Sequence, residues 1–119
     1  MASRNREDYL EAIYGLIRSN GHARTKDIAA ELNVKSPSVT GMLSKLDRDG
    51  FVNYEKYSGI WLTKKGKERA LDIKRRHETF KRFLVSIGVP ERIAEKDACT
   101  MEHSLHKKTI EQMKKLVER

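Results

Sequence analysis

The stretch Cys99-Thr100-Met101-Glu102-His103 places a thiol, a carboxylate and an imidazole at positions i, i+3 and i+4. On a helix that spacing puts all three on one face, and each is a donor that a first-row divalent metal accepts. Asp8 and Glu11, three residues apart, add two carboxylates in the same helical arrangement, and His77 adds a second nitrogen. Each fragment alone is a weak signal, because a histidine on a charged helix is usually solvated and a lone cysteine usually fills a core. Linear order does not say whether positions 8, 11, 77 and 99–103 meet in space. A second group points to different chemistry. Lys35, Ser36, Pro37, Ser38, Thr40, Ser44 and Lys45 gather short hydroxyls and lysines over about three helical turns, and Lys64 and Lys65 add cations downstream. Such side chains suit close approach to phosphate oxygens and base edges of DNA. The bland alternative is that Ser36 only caps a helix and that Ser38 and Thr40 are solvated.

These groups need elements to hold them. Leu10, Ile13, Tyr14 and Ile17 recur at three and four residues, which predicts a helix from about residue 7 to 19, ended by Asn20-Gly21. Thr25 is expected to cap a short helix through Leu32, and Asn33-Val34-Lys35 breaks it. Ser36 is then the expected cap of a third helix, with Pro37 at its first position and Val39, Met42, Leu43 and Leu46 as its buried stripe. Two short helices joined by a turn make a helix-turn-helix pattern. Residues 51–56 and 60–62, separated by Tyr57-Ser58-Gly59, read as a two-stranded wing. Thr63 caps a long helix over 64–87. Gly88 and Pro90 separate it from a helix over roughly 90–104, and a last helix over 107–118 carries Ile110, Met113, Leu116 and Val117 on one face. The expected fold is mainly α with a small β-wing: a winged helix-turn-helix DNA-binding domain over residues 1–72, then a helical metal-binding and dimerisation domain over 73–119. That second segment is too small to fold alone and is expected to complete its core with a second subunit.

Composition narrows the function classes. At 119 residues the chain supports one modest core or two very small ones, so two independent enzymes are excluded. Charged residues make up 35%, and no apolar run is long enough to span a bilayer. The N-terminal MASRNREDYLEAIYGL lacks a signal-peptide core and the single cysteine excludes an internal disulfide, so a cytoplasmic setting is expected. A net charge of +8 favours a polyanionic partner. Residues 1–63 carry only +1 of it and residues 64–119 carry +7, so net charge does not locate a DNA surface.

Nearly the whole chain resembles the diphtheria toxin repressor family of metal-dependent regulators, most closely its short manganese transport regulator branch. The motifs are residues 7–14 (EDYLEAIY), Ser36-Pro37-Ser38-Val39-Thr40 before Leu43-Ser44-Lys45-Leu46, the wing from Tyr54 to Thr63, Arg76-His77-Glu78, and Glu102-His103. The resemblance implies a homodimer that binds a palindromic operator when metal-loaded and represses metal-uptake genes. It implies a metal site made by Asp8, Glu11, His77, Cys99, Glu102 and His103. Here the manganese branch has a carboxylate in place of Cys99, and the iron branch has cysteine there but usually methionine in place of Asp8. The set is a hybrid for Fe(II) or Mn(II). Lys81 stands where relatives often carry a glutamate that helps bind a second metal. Two rival readings are a metal-independent winged-helix regulator and a small metallohydrolase; the latter finds no nucleophile motif or phosphate loop.

Overall fold

The computed structural model describes residues 5–56 and 58–118. Its elements are α1 (Arg6–Asn20), α2 (Thr25–Leu32), α3 (Ser36–Arg48), β1 (Val52–Glu55), β2 (Gly59–Leu62), α4 (Lys64–Ser86), α5 (Glu91–Met101) and α6 (Lys107–Val117). They form two compact units, residues 1–71 and 72–119.

In the first unit, α1 starts on a capping box. The Asn5 side chain accepts from the Asp8 amide at 3.0 Å, and the Asp8 carboxylate accepts from the Asn5 amide at 3.1 Å. That reciprocal pair fixes the helix start. Thr25 and Ser36, expected as caps, are instead the first helical residues of α2 and α3. The N-caps are Arg24 and Lys35, both extended and neither making a side-chain cap hydrogen bond. Between the two helices Asn33 adopts φ 54°, ψ 50°, a left-handed conformation that asparagine tolerates better than most residues. Its short polar side chain makes the sharp turn affordable, and Pro37 presets the first turn of α3. Leu10, Ile13, Ile28, Val39, Leu43 and Leu46 are buried to within about 1% of complete enclosure and form the core.

The wing is an antiparallel pair with Val52 opposite Leu62 and Glu55 opposite Gly59, and Ala23 adds an isolated bridge to Ile60. Of the expected turn residues, Ser58 donates its amide to the Glu55 carbonyl, whereas Tyr57 lies outside the described residues. Thr63 does cap α4: its hydroxyl oxygen accepts from the Gly66 amide at 3.1 Å and donates to the Gly50 carbonyl at 2.6 Å.

In the second unit, Ile73, His77 and Phe80 of α4, Ala94 and Ala98 of α5, and Glu102 are buried. The two alanines, one turn apart, let α5 lie close to its neighbour. Helix α5 ends three residues before the expected position 104. The Ser104 amide closes on Met101, one residue short of the helical i→i+4 register, so Glu102 becomes the C-cap and His103 falls in the turn. No residue of α6 is buried, and its expected inner stripe Ile110, Met113, Leu116 and Val117 is half-buried or exposed. No described helix is long and apolar enough to cross a membrane.

Candidate metal centre

The second unit brings together most of the expected donors. His77, on α4, aims Nδ1 at Glu102 Oε2 (3.0 Å) and Nε2 at Glu95 Oε1 (2.7 Å). Cys99 Sγ lies 3.7 Å from the same Nδ1, and His103 Nε2 lies 3.2 Å from Glu102 Oε1. Cys99 and Glu102 therefore both approach His77, and His103 meets Glu102, although only Cys99 is on the regular helix. An isolated carboxylate buried like Glu102, at 1% exposure, would be costly; here His77 answers Oε2, while Oε1, 3.2 Å from His103 Nε2, makes no hydrogen bond among the described residues. Pairwise distances link His77, Glu102, Cys99 and His103, and imidazole, carboxylate and thiol are donor types that fit a divalent transition metal.

The Glu102 hydrogen bond, acting against burial and helped by Glu95, raises the His77 pKa from 6.5 to about 9. The protonated His77 ring is thus the cation that faces both Glu102 and Glu95. Burial alone would push Glu95 up, but Lys81 and His77 outweigh it and hold its carboxyl below the usual range. Glu95 escaped the sequence reading. One donor atom from each of His77, Glu95 and Cys99 lies within 4.8 Å of the other two. The signal available was its position four residues before Cys99, on the same face of α5.

Asp8 and Glu11 are carried by α1 in the first unit, both half-buried, and Asp8 is engaged in the capping box. The expected DNA-binding residues Lys35, Ser36, Pro37, Ser38, Thr40, Ser44, Lys45, Lys64 and Lys65 are all exposed, while Val39, Leu43 and Leu46 face inward. Two hydroxyls are back-bonded to their own helix, Thr40 to the Ser36 carbonyl and Ser44 to the Thr40 carbonyl, each at 3.2 Å. Lys65 donates to the Asp49 carbonyl at 2.9 Å and lies 4.3 Å over the Phe51 ring, so it braces the wing junction.

The family model of the iron dependent repressor N-terminal DNA binding domain matches residues 1–60, and that of the iron dependent repressor metal binding and dimerisation domain matches residues 63–119. The chain belongs to the iron-dependent, or diphtheria toxin, repressor family. An uncharacterized HTH-type transcriptional regulator of Methanocaldococcus jannaschii is 44% identical over 98% of this chain and 95% of its own length. The HTH-type transcriptional regulator MntR of Bacillus subtilis is 43% identical over 99% of this chain and 83% of its own. Among solved structures, the manganese regulator SloR superposes with a TM-score of 0.83 at 30% identity, covering 98% of this chain. This chain spans only about half of that protein, 55%. This member of the repressor family is a metal-dependent, DNA-binding transcriptional regulator, with a DNA-binding part followed by a metal-binding and dimerisation part.

Proposed function

We propose that this regulator is a cytoplasmic homodimer that binds a palindromic operator when loaded with Fe(II) or Mn(II) and represses metal-uptake genes. Residues 1–72 read DNA, and residues 73–119 bind metal and dimerise. His77, Cys99, Glu102 and His103 are the ligands in the second unit, and Asp8 and Glu11, assigned by the family resemblance, complete the set from α1. Pro37, Ser38 and Thr40 approach base edges. Ser36 and Ser44 flank them, and Lys35, Lys45, Lys64 and Lys65 contact phosphates.

The observation that carries this reading is the buried Glu102 carboxylate with an imidazole near each oxygen, the His77 ring lying also 3.7 Å from the Cys99 thiol. A bound divalent ion supplies the positive charge that such a set lacks once its protons leave. To act as ligands, His77 must give up a ring proton and Cys99 its thiol proton, so binding is coupled to proton release. Donors contributed by both units make the placement of the reading head depend on the metal.

The test starts from an operator selected from random duplexes by the metal-loaded protein. Its affinity is then measured with Mn(II), Fe(II), Co(II), Ni(II) and Zn(II), each against an EDTA control. Binding is expected to be tight only with metal, and equal affinity in EDTA would sink the proposal.

A further inference from the structure

The side chain nearest His77 on its outer edge belongs to no part of the ligand set proposed above. Glu95 Oε1 lies 2.7 Å from His77 Nε2, and the other oxygen of the same carboxylate lies 3.1 Å from Lys81 Nζ, which also reaches Glu91 Oε1 at 3.3 Å. We propose that Glu95, braced by Lys81, is a positioning residue for His77: it holds the proton on Nε2 and thereby commits the Nδ1 lone pair to the metal.

A neutral imidazole has one N–H and one lone pair, and the nitrogen that donates to a carboxylate leaves the other to coordinate. In His77 both nitrogens face carboxylates, so the surroundings decide which is which. On the Nδ1 side lie Glu102 Oε2 at 3.0 Å and Cys99 Sγ at 3.7 Å, and Glu102 in turn meets His103. Glu102 and His103 lie on that side, and Cys99, though its sulfur is 3.7 Å from Nδ1, also comes within 4.8 Å of a Glu95 oxygen. On the Nε2 side lies a carboxylate whose charge is already answered by an ammonium. A divalent ion placed against Nε2 would face Lys81, and like charges at such range repel strongly away from bulk water. The Lys81–Glu95 pair is partly solvent-exposed, 25% and 49%, so as an ion pair it contributes little to folding. What its geometry does accomplish is to fix the ring.

This inference rests on the metal-responsive reading, and its experiment separates the two. In the full chain loaded with Zn(II), a diamagnetic probe, nitrogen-15 spectra of His77 are expected to show Nε2 protonated and Nδ1 metal-bound. The opposite tautomer overturns the proposal without any mutation. Co(II) titrations are expected to show affinity falling about 10- to 100-fold in Glu95→Ala. Most of it should return in Glu95→Gln, whose amide oxygen still accepts the Nε2 proton, with the visible Co(II) bands unchanged because no ligand is lost. Lys81→Met should weaken binding less than Glu95→Ala, by releasing the brace. Glu95→Ala binding Co(II) as tightly as the unaltered chain overturns the proposal. Altered Co(II) bands in Glu95→Gln, or a second Co(II) taken up by Lys81→Met, also overturn it by making Glu95 a ligand. If the unaltered chain takes up neither Zn(II) nor Co(II), it is the metal-responsive reading itself that fails.

Discussion

Cys99 is exposed, which removes the reading of this residue as core filler, and its sulfur is the soft member of a donor set otherwise made of oxygens and imidazoles. Soft donors favour iron and later metals over manganese, which prefers oxygen. Cys99→Glu is therefore expected to strengthen Mn(II)-activated operator binding relative to Co(II) activation. Thiolate coordination should give the Co(II) protein a near-ultraviolet charge-transfer band that Cys99→Ala lacks. Absence of that band in the unaltered protein would remove Cys99 from the ligand set. His77 carries a second expectation. Its pKa in the folded chain is raised from 6.5 to about 9, chiefly by the Glu102 hydrogen bond. The charged ring therefore stabilises the metal-free fold fully below its unfolded pKa, and that contribution is lost as pH rises through the folded one. In EDTA the urea midpoint should fall between about pH 6 and about pH 10, and His77→Gln should flatten that segment of the profile. An equally steep fall in the variant would place the dependence elsewhere.

Among the elements, what was legible and what was not divides along physical lines. The apolar stripes of α1 to α3 were readable because each buries one face, so Ile13, Ile28, Val39 and Leu43 had to fall inward at helical spacing. Of the caps only Thr63 was, since any of several neighbouring hydroxyls or amides can satisfy a first turn. Asn5, which was not named as a cap, caps α1, and Thr25 and Ser36 are the first residues of their helices. The end of α5 escaped because Glu102 and His103 continue a helical spacing while the backbone tightens at Ser104. Five of the six proposed metal ligands showed only local spacing, Asp8 with Glu11 and Cys99 with Glu102 and His103, and His77 showed none. Glu95 was invisible for a different reason: its role depends on Nε2 of a histidine eighteen residues away. Gly66, near the start of α4, is required by the fold. A Cβ there would collide with the carbonyl oxygen of Phe51, a backbone atom that cannot swing aside. Gly66→Ala should cost roughly 1–3 kcal/mol despite alanine's better helix propensity. The denaturation midpoint reads this directly, and a stabilised variant would show that the α4–wing junction has room to shift.

For the whole molecule, the absence of any buried residue on α6 leaves the second unit short of core, as expected of a segment that dimerises. Two recognition helices in a symmetric dimer must meet half-sites about one helical turn, ~34 Å, or a multiple of it apart. A ligand set drawn from both units would therefore act on DNA affinity by changing how often the two heads present that spacing. Such coupling is a free energy shared between two binding events, and it must act equally in both directions. The factor by which Fe(II) or Mn(II) raises operator affinity should equal the factor by which saturating operator raises metal affinity, expected at about 5- to 150-fold. Both are measurable on one preparation, by operator titration at fixed metal and by metal titration at fixed operator. An operator with five base pairs inserted between its half-sites turns them to opposite faces of the duplex, and it should lose both enhancements together. If metal affinity still rose on that spaced operator, the coupling would run within a single subunit and not through the separation of the two reading heads.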